Sequence, residues 1–154
     1  MTYSNNSYGN SFGRQQAPAR QVNITEKKKL DKKAYVDLAE KVIAELPRDN
    51  RDANKIQLST NQIRNVLSLI NELYDMVRTD TEKMLSDDVQ SHIQYVKMKI
   101  IYAAGRDNAV KTFLEKSLLI SYLNGIGDSR DDLILVCHYM EALVAYHRFN
   151  TNEK

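Results

Sequence analysis

Apolar residues recur along most of this chain at spacings of three and four, the period of a helix that buries one face. Over 26–46 the positions are Leu30, Ala34, Leu38, Val42 and Leu46, widened by Tyr35 and Ile43, and Pro47 ends the pattern. The polar stretch 48–57 reads as a linking loop. Ser59-Thr60-Asn61-Gln62 has the form of a capping box, in which Ser59 accepts from the Gln62 amide while the Gln62 side chain reaches back. Ile63, Val66, Leu67, Ile70, Leu73, Tyr74 and Val77 then predict a helix to about Arg78.

Beyond a turn or short helical piece at 79–85, Ser86 is placed to cap a helix over 86–106. Val89, Ile93, Val96, Ile100 and Ala103 trace one face of it, and Tyr95, Met98, Ile101 and Tyr102 a second. Two apolar faces put this helix at the centre of a bundle, with contact to a neighbouring copy as the other use for Tyr95, Met98 and Tyr102. Gly105 suits a left-handed C-terminal cap. Asp107 is an N-cap for a fourth helix to about Leu123, with Val110, Phe113, Leu114, Ser117 and Leu118 inward. Asn124-Gly125 closes it, and Gly127-Asp128-Ser129 opens a last helix over about 131–149, with Val136, Met140, Leu143, Val144 and His147 on one face and Leu133 and Cys137 beside them.

About five helices with short joins and no alternating strand pattern indicate an all-α fold, a compact bundle. A single domain over 23–154 is expected. The segment 1–22 is rich in Ser, Asn, Gln and Gly, lacks acidic residues and holds only scattered aromatics, so it cannot repay its ordering entropy and reads as a disordered polar tail. Its Tyr3, Tyr8, Phe12, Arg14 and Arg20 would suit single-stranded RNA, although a solvated tail is the simpler reading.

A net charge of +2 over 154 residues does not announce a polyanionic partner, so position decides. Over 93–112 there are four basic residues and one acidic one, whereas 79–92 holds four acidic and one basic. Lys97, Lys99 and Arg106 therefore either complement the helix dipole or face an anion. The run Lys27, Lys28, Lys29, Lys32 and Lys33, interrupted by acids, reads as a solvated helix face. Cys137 is the sole cysteine, which excludes an intramolecular disulfide and fits a reducing, cytoplasmic home. No apolar run approaches the roughly 20 residues that span a bilayer. Neither membrane nor secretion is expected.

Phosphate-loop, Rossmann and zinc-protease motifs are missing, so no cofactor and no catalysis are expected. His138 and Glu141 lie one turn apart, but in the reverse of the di-iron order, and no metal site is expected. His147 reads as a core or interface histidine and His92 as an exposed one. Glu141 is expected to be half-buried, needing an arginine or a helix N-terminus as partner.

Four pieces stand in order: LSTNQIRNVL at 58–67, KMKIIYAAGR at 97–106, FLEKSL at 113–118 and YMEALVAYHRF at 139–149. Together, over roughly 55–149, they resemble the small subunit of the type III-A CRISPR effector, the Csm ribonucleoprotein complex. The resemblance implies a non-catalytic, all-helical subunit, present in more than one copy along the inner filament and beside the backbone subunits. Its partners would be guide RNA, target RNA, backbone and large subunits, and neighbouring copies of itself. Cleavage of target RNA and synthesis of signalling nucleotides would belong to other subunits.

The resemblance also implies RNA contact at the basic residues of the QIR and YAAGR segments, here Arg64 and Arg106. Lys55, Lys97, Lys99 and Lys111 join them as neighbours of suitable charge. A scaffold that accepts any target sequence should grip phosphate and sugar and leave sequence to base pairing. That reading requires Arg64 and Arg106 to stand outside internal ion pairs and not on opposite sides of the molecule. The alternative is a helical protein-protein adaptor without nucleic-acid contact; a DNA-binding regulator using 107–123 as recognition helix ranks third.

Overall fold

The structure, a computed structural model, describes residues 22–151. They form six helices: α1 Tyr35–Ala44, α2 Thr60–Val77, α3 Asp87–Arg106, α4 Asn108–Ser117, α5 Leu119–Asn124 and α6 Arg130–Asn150. The fold is all-α, and two isolated bridges, Arg48 with Ile56 and Met84 with Ser129, are the only extended pairings among the described residues. Of the expected tail, only Val22 is described, and it packs against the core; Tyr3, Tyr8, Phe12, Arg14 and Arg20 lie outside the described residues.

The local start signals act as the sequence says. Ser59 accepts from the Gln62 amide and the Gln62 side chain accepts from the Ser59 amide, which completes the capping box of α2. Ser86 caps α3 through the Val89 amide, Asp107 caps α4 through Ala109, and Ser129 caps α6 through Asp132. Each satisfies an amide that the first helical turn leaves without a partner.

The helix at the centre is α6, not the 86–106 segment. Both α1 and α2 lie along α6, while α3 packs on α2 and α4. Leu133, Leu135, Val136, Cys137, Tyr139, Met140, Leu143 and His147 of α6 are buried, so its first half meets neighbours on almost every side. Only one face of α3 is buried, by Val89, Ile93, Val96, Ile100 and Ala104. Its second apolar stripe faces outward: Tyr95 is 45%, Met98 56% and Tyr102 67% exposed, with Ile101 alone partly buried.

Three boundaries differ from expectation for tertiary reasons. α1 begins at Tyr35 because the chain ahead of it runs along α5: Lys28 N donates to Ser121 O at 3.0 Å, and Asn124 Nδ2 donates to the carbonyls of Ile24 and Glu26 at 2.9 and 3.0 Å. Gly125 allows that approach, since a Cβ there would collide with the Lys28 carbonyl oxygen. The stretch expected as one fourth helix is broken at Leu118, whose φ of 56° is left-handed. Tyr139 Oη donates to the Ser117 carbonyl at 2.8 Å, and Ser117 Oγ accepts from the Leu119 amide at 3.3 Å, so the break is satisfied from within the core. Gly105 is not a left-handed cap; α3 runs on to Arg106 and ends at Asp107, which has extended backbone and starts α4 in the same step.

Candidate nucleic-acid interface

A polar staple joins the start of α2 to the α3–α4 corner. Gln62, already engaged in the capping box, donates its side-chain amide to Asp107 Oδ2, while Asp107 Oδ1 accepts from Ala109 N at 2.9 Å. One carboxylate and one carboxamide thus satisfy two helix starts and fix them against each other. His147 supports the same place from below, where Nε2 lies 2.7 Å from the Leu58 carbonyl in a buried contact. It is the core histidine that its apolar stripe suggests.

Arg64 and Arg106 leave this stapled region on different flanks of α2. Arg64 is exposed and lines a mostly apolar cleft between α2 and α6, with Thr60, Leu67, Glu141, Val144 and Arg148. Arg106 is exposed in the groove between α2 and α3, beside Gln62, Asn65, Leu69 and Asp107. Between them runs the exposed ridge of α2, Asn61, Asn65 and Ser68.

The lysines divide. Lys99 projects to the Arg106 side, its Nζ 4.7 Å from the centre of the Tyr95 ring. Lys97 leaves the opposite flank of α3, where its Nζ donates to Asn124 Oδ1 at 2.9 Å. Lys111 is exposed on that same side, in a pocket with Ile101, Ala104 and Gly105. Lys55 is exposed in the loop before α2. The six basic residues therefore do not form one continuous patch. Among the described residues none of the six forms an ion pair.

Two groups that the structure places beside the expected site residues were not legible in the sequence. Arg148 shares the cleft of Arg64 because α6 runs beside α2, a neighbourhood that no local pattern reveals. Tyr95 and Tyr102, assigned to core packing by spacing, stand outward beside cations, with the Arg106 guanidinium carbon 5.8 Å from the Tyr102 ring centre. Other charged groups differ from expectation too. His92 is half-buried, its Nε2 3.0 Å from Glu72 Oε2, and Glu141 is exposed rather than half-buried.

Burial moves titrations elsewhere. The Cys137 thiol is pushed up to about 12, first by burial and then by the Glu141 charge. Tyr139 is raised by burial and by Tyr122, and Tyr122 by burial and by Glu26. These groups are buried in the α5–α6 core. Among the described residues no group of three or more His, Cys, Asp or Glu is placed to hold a metal ion, and no helix is long and apolar enough to cross a membrane.

Comparison with known proteins places the chain in a family. A family model described as Csm2 of type III-A matches residues 29–153. The protein named "CRISPR system Cms protein Csm2" from Mycobacterium tuberculosis (strain CDC 1551 / Oshkosh) is 41% identical over 115 residues, which cover 75% of this chain and 90% of that protein. Its namesake from Streptococcus thermophilus is 42% identical over 115 residues, 75% of this chain and 89% of the relative. That from Enterococcus italicus is 37% identical over 122 residues, 74% and 87%. With a matching family model over most of its length and relatives of this similarity, the chain belongs to the Csm2 type III-A family.

Proposed function

We propose that this protein is a non-catalytic structural subunit of a type III-A CRISPR ribonucleoprotein, working in the cytoplasm and holding guide or target RNA by its backbone without reading sequence. The observation that carries this reading is the placement of Arg64 and Arg106. Both are exposed, outside ion pairs among the described residues, and rooted beside the Ser59–Gln62–Asp107 staple. The backbone that carries them is thus fixed, and only the side chains lose freedom when a phosphate is bound. Lys99 extends the Arg106 side, whereas Lys55, Lys97 and Lys111 serve as outer contacts, Lys97 also bracing Asn124. Other Csm subunits and neighbouring copies complete the assembly.

A variant with Arg64→Ala and Arg106→Ala tests the reading. It should keep the helical circular dichroism of the parent, yet lose cross-linking to RNA within the assembled complex. Retained cross-linking and an unchanged salt dependence of affinity would overturn the assignment and favour a protein-protein adaptor. Reproducible metal-dependent cleavage of RNA by the purified chain would contradict the non-catalytic part.

A further inference from the structure

The outward stripe of α3 is not a plain apolar patch. Along one side of the helix His92, Tyr95, Lys99, Tyr102 and Arg106 follow one another at three and four residues, so aromatic rings and cations alternate. The His92 and Tyr95 rings lie 5.6 Å apart, Lys99 sits over Tyr95, and Arg106 sits beside Tyr102. Between Asp88 and Asp107 the helix carries no carboxylate. The two exposed rings stand beside Lys99 and Arg106, with Glu72 against His92 at one end of the stripe and Asp107 at the other, so the stretch between them favours a ligand that is both planar and negatively charged.

We propose that Tyr95 and Tyr102 form a stacking platform for unpaired bases of single-stranded RNA, with Lys99 and Arg106 holding the adjoining phosphates. This rests on the RNA-binding reading above and adds to it a contact with the bases. Base stacking on aromatic rings is indifferent to sequence, because every base offers a π-face, so it suits a scaffold that must accept any target. The rings are seven residues apart, about 10 Å along a helix axis at 1.5 Å per residue. Bases in a continuous stack stand roughly 3.4 Å apart. The two rings therefore receive separate, splayed bases, and an intact duplex gains nothing from them.

The full-length chain in low salt is titrated by fluorescence anisotropy with three probes: a single-stranded mixed-sequence RNA, the same strand with abasic positions, and a blunt RNA duplex. Tyr95→Ala with Tyr102→Ala should weaken the single strand about tenfold or more while leaving the salt slope, the abasic strand and the duplex unchanged. The Tyr95→Phe, Tyr102→Phe pair, which keeps both rings, should bind as the parent does. Both positions are exposed, Tyr95 less so than Tyr102, and a thermal melt controls for folding. Equal affinity of the alanine pair and the parent for the single strand overturns the platform but leaves the phosphate reading standing, provided the salt slope persists. A loss that is the same for the abasic strand also overturns it. So does a change in sedimentation of the chain without a change in RNA affinity, which would make this face a contact between copies. Absence of salt-dependent binding to any probe overturns both readings together.

Discussion

Asp107 concentrates more of the site's geometry than any charged residue around it. Its two oxygens serve the Ala109 amide and the Gln62 side chain, and Arg106 precedes it. Asp107→Ala should cost about 1–2 kcal/mol in urea unfolding, because it leaves a helix amide and a carboxamide without acceptors. Asp107→Asn, which keeps one acceptor for the cap, should lose less. The Ser59 box, Ser86 and Asp107 were readable in the sequence because capping is decided within four residues. The bond from Tyr139 to the Ser117 carbonyl was not, since it joins positions 22 apart. Cys137 supplies a prediction in pH. Its folded thiol titrates at about 12 against an ordinary 9.0, so above pH 9 the unfolded chain releases a proton that the folded one retains. Stability contributed by this group is present below pH 9 and declines as pH rises toward 12, by about 1.4 kcal/mol for each unit. Cys137→Ala should flatten the alkaline fall in denaturation midpoint, and iodoacetamide should label the native thiol only as fast as the chain opens.

At the scale of elements, the surprise is which helix sits at the centre. A helix buried on one face advertises itself by periodicity, whereas α6 is apolar on nearly all sides of its first half and leaves a weaker signal. α3 showed two stripes, and only the one with Ile93, Val96 and Ile100 faces the core. Periodicity cannot tell a second packing face from an exposed one, because both are written in the same residues. The segment 26–34 misled for a different reason: its helical spacing lost to backbone pairing with α5, a tertiary choice made by Ser121 and Asn124. Gly125 permits that pairing. Gly125→Ala should push the Lys28 backbone off α5, lowering the thermal midpoint and opening Lys27, Lys28 and Lys29 to trypsin in the native state. A variant cut no faster than the parent would mean that the neighbouring backbone yields without detaching.

On the RNA-binding reading proposed above, one chain has few cations to offer, so it holds RNA weakly by itself, and this makes assembly measurable. Each phosphate neutralised on a single strand contributes roughly 0.7 to the slope of log affinity against log salt. The three inner contacts, Arg64, Lys99 and Arg106, give an isolated chain a slope of about 2 and a weak affinity, and the outer Lys55 and Lys111 add to it where the strand reaches them. Lys97 should add little, since its ammonium already has Asn124 as partner. Copies fixed along one RNA bind it with a high effective concentration, so their contacts sum in one event. Arg64→Ala with Arg106→Ala should therefore lower the slope of the isolated chain by about 1.4, twice the single-contact value, and that of the assembled complex by the same amount multiplied by the number of copies that touch RNA. Salt titrations of both variants against their parents measure the two decrements. Their ratio should be a small integer above one. A ratio of one would mean that a single copy meets the RNA while the others serve only to build the filament, and a ratio near zero would move the RNA-holding role to other subunits.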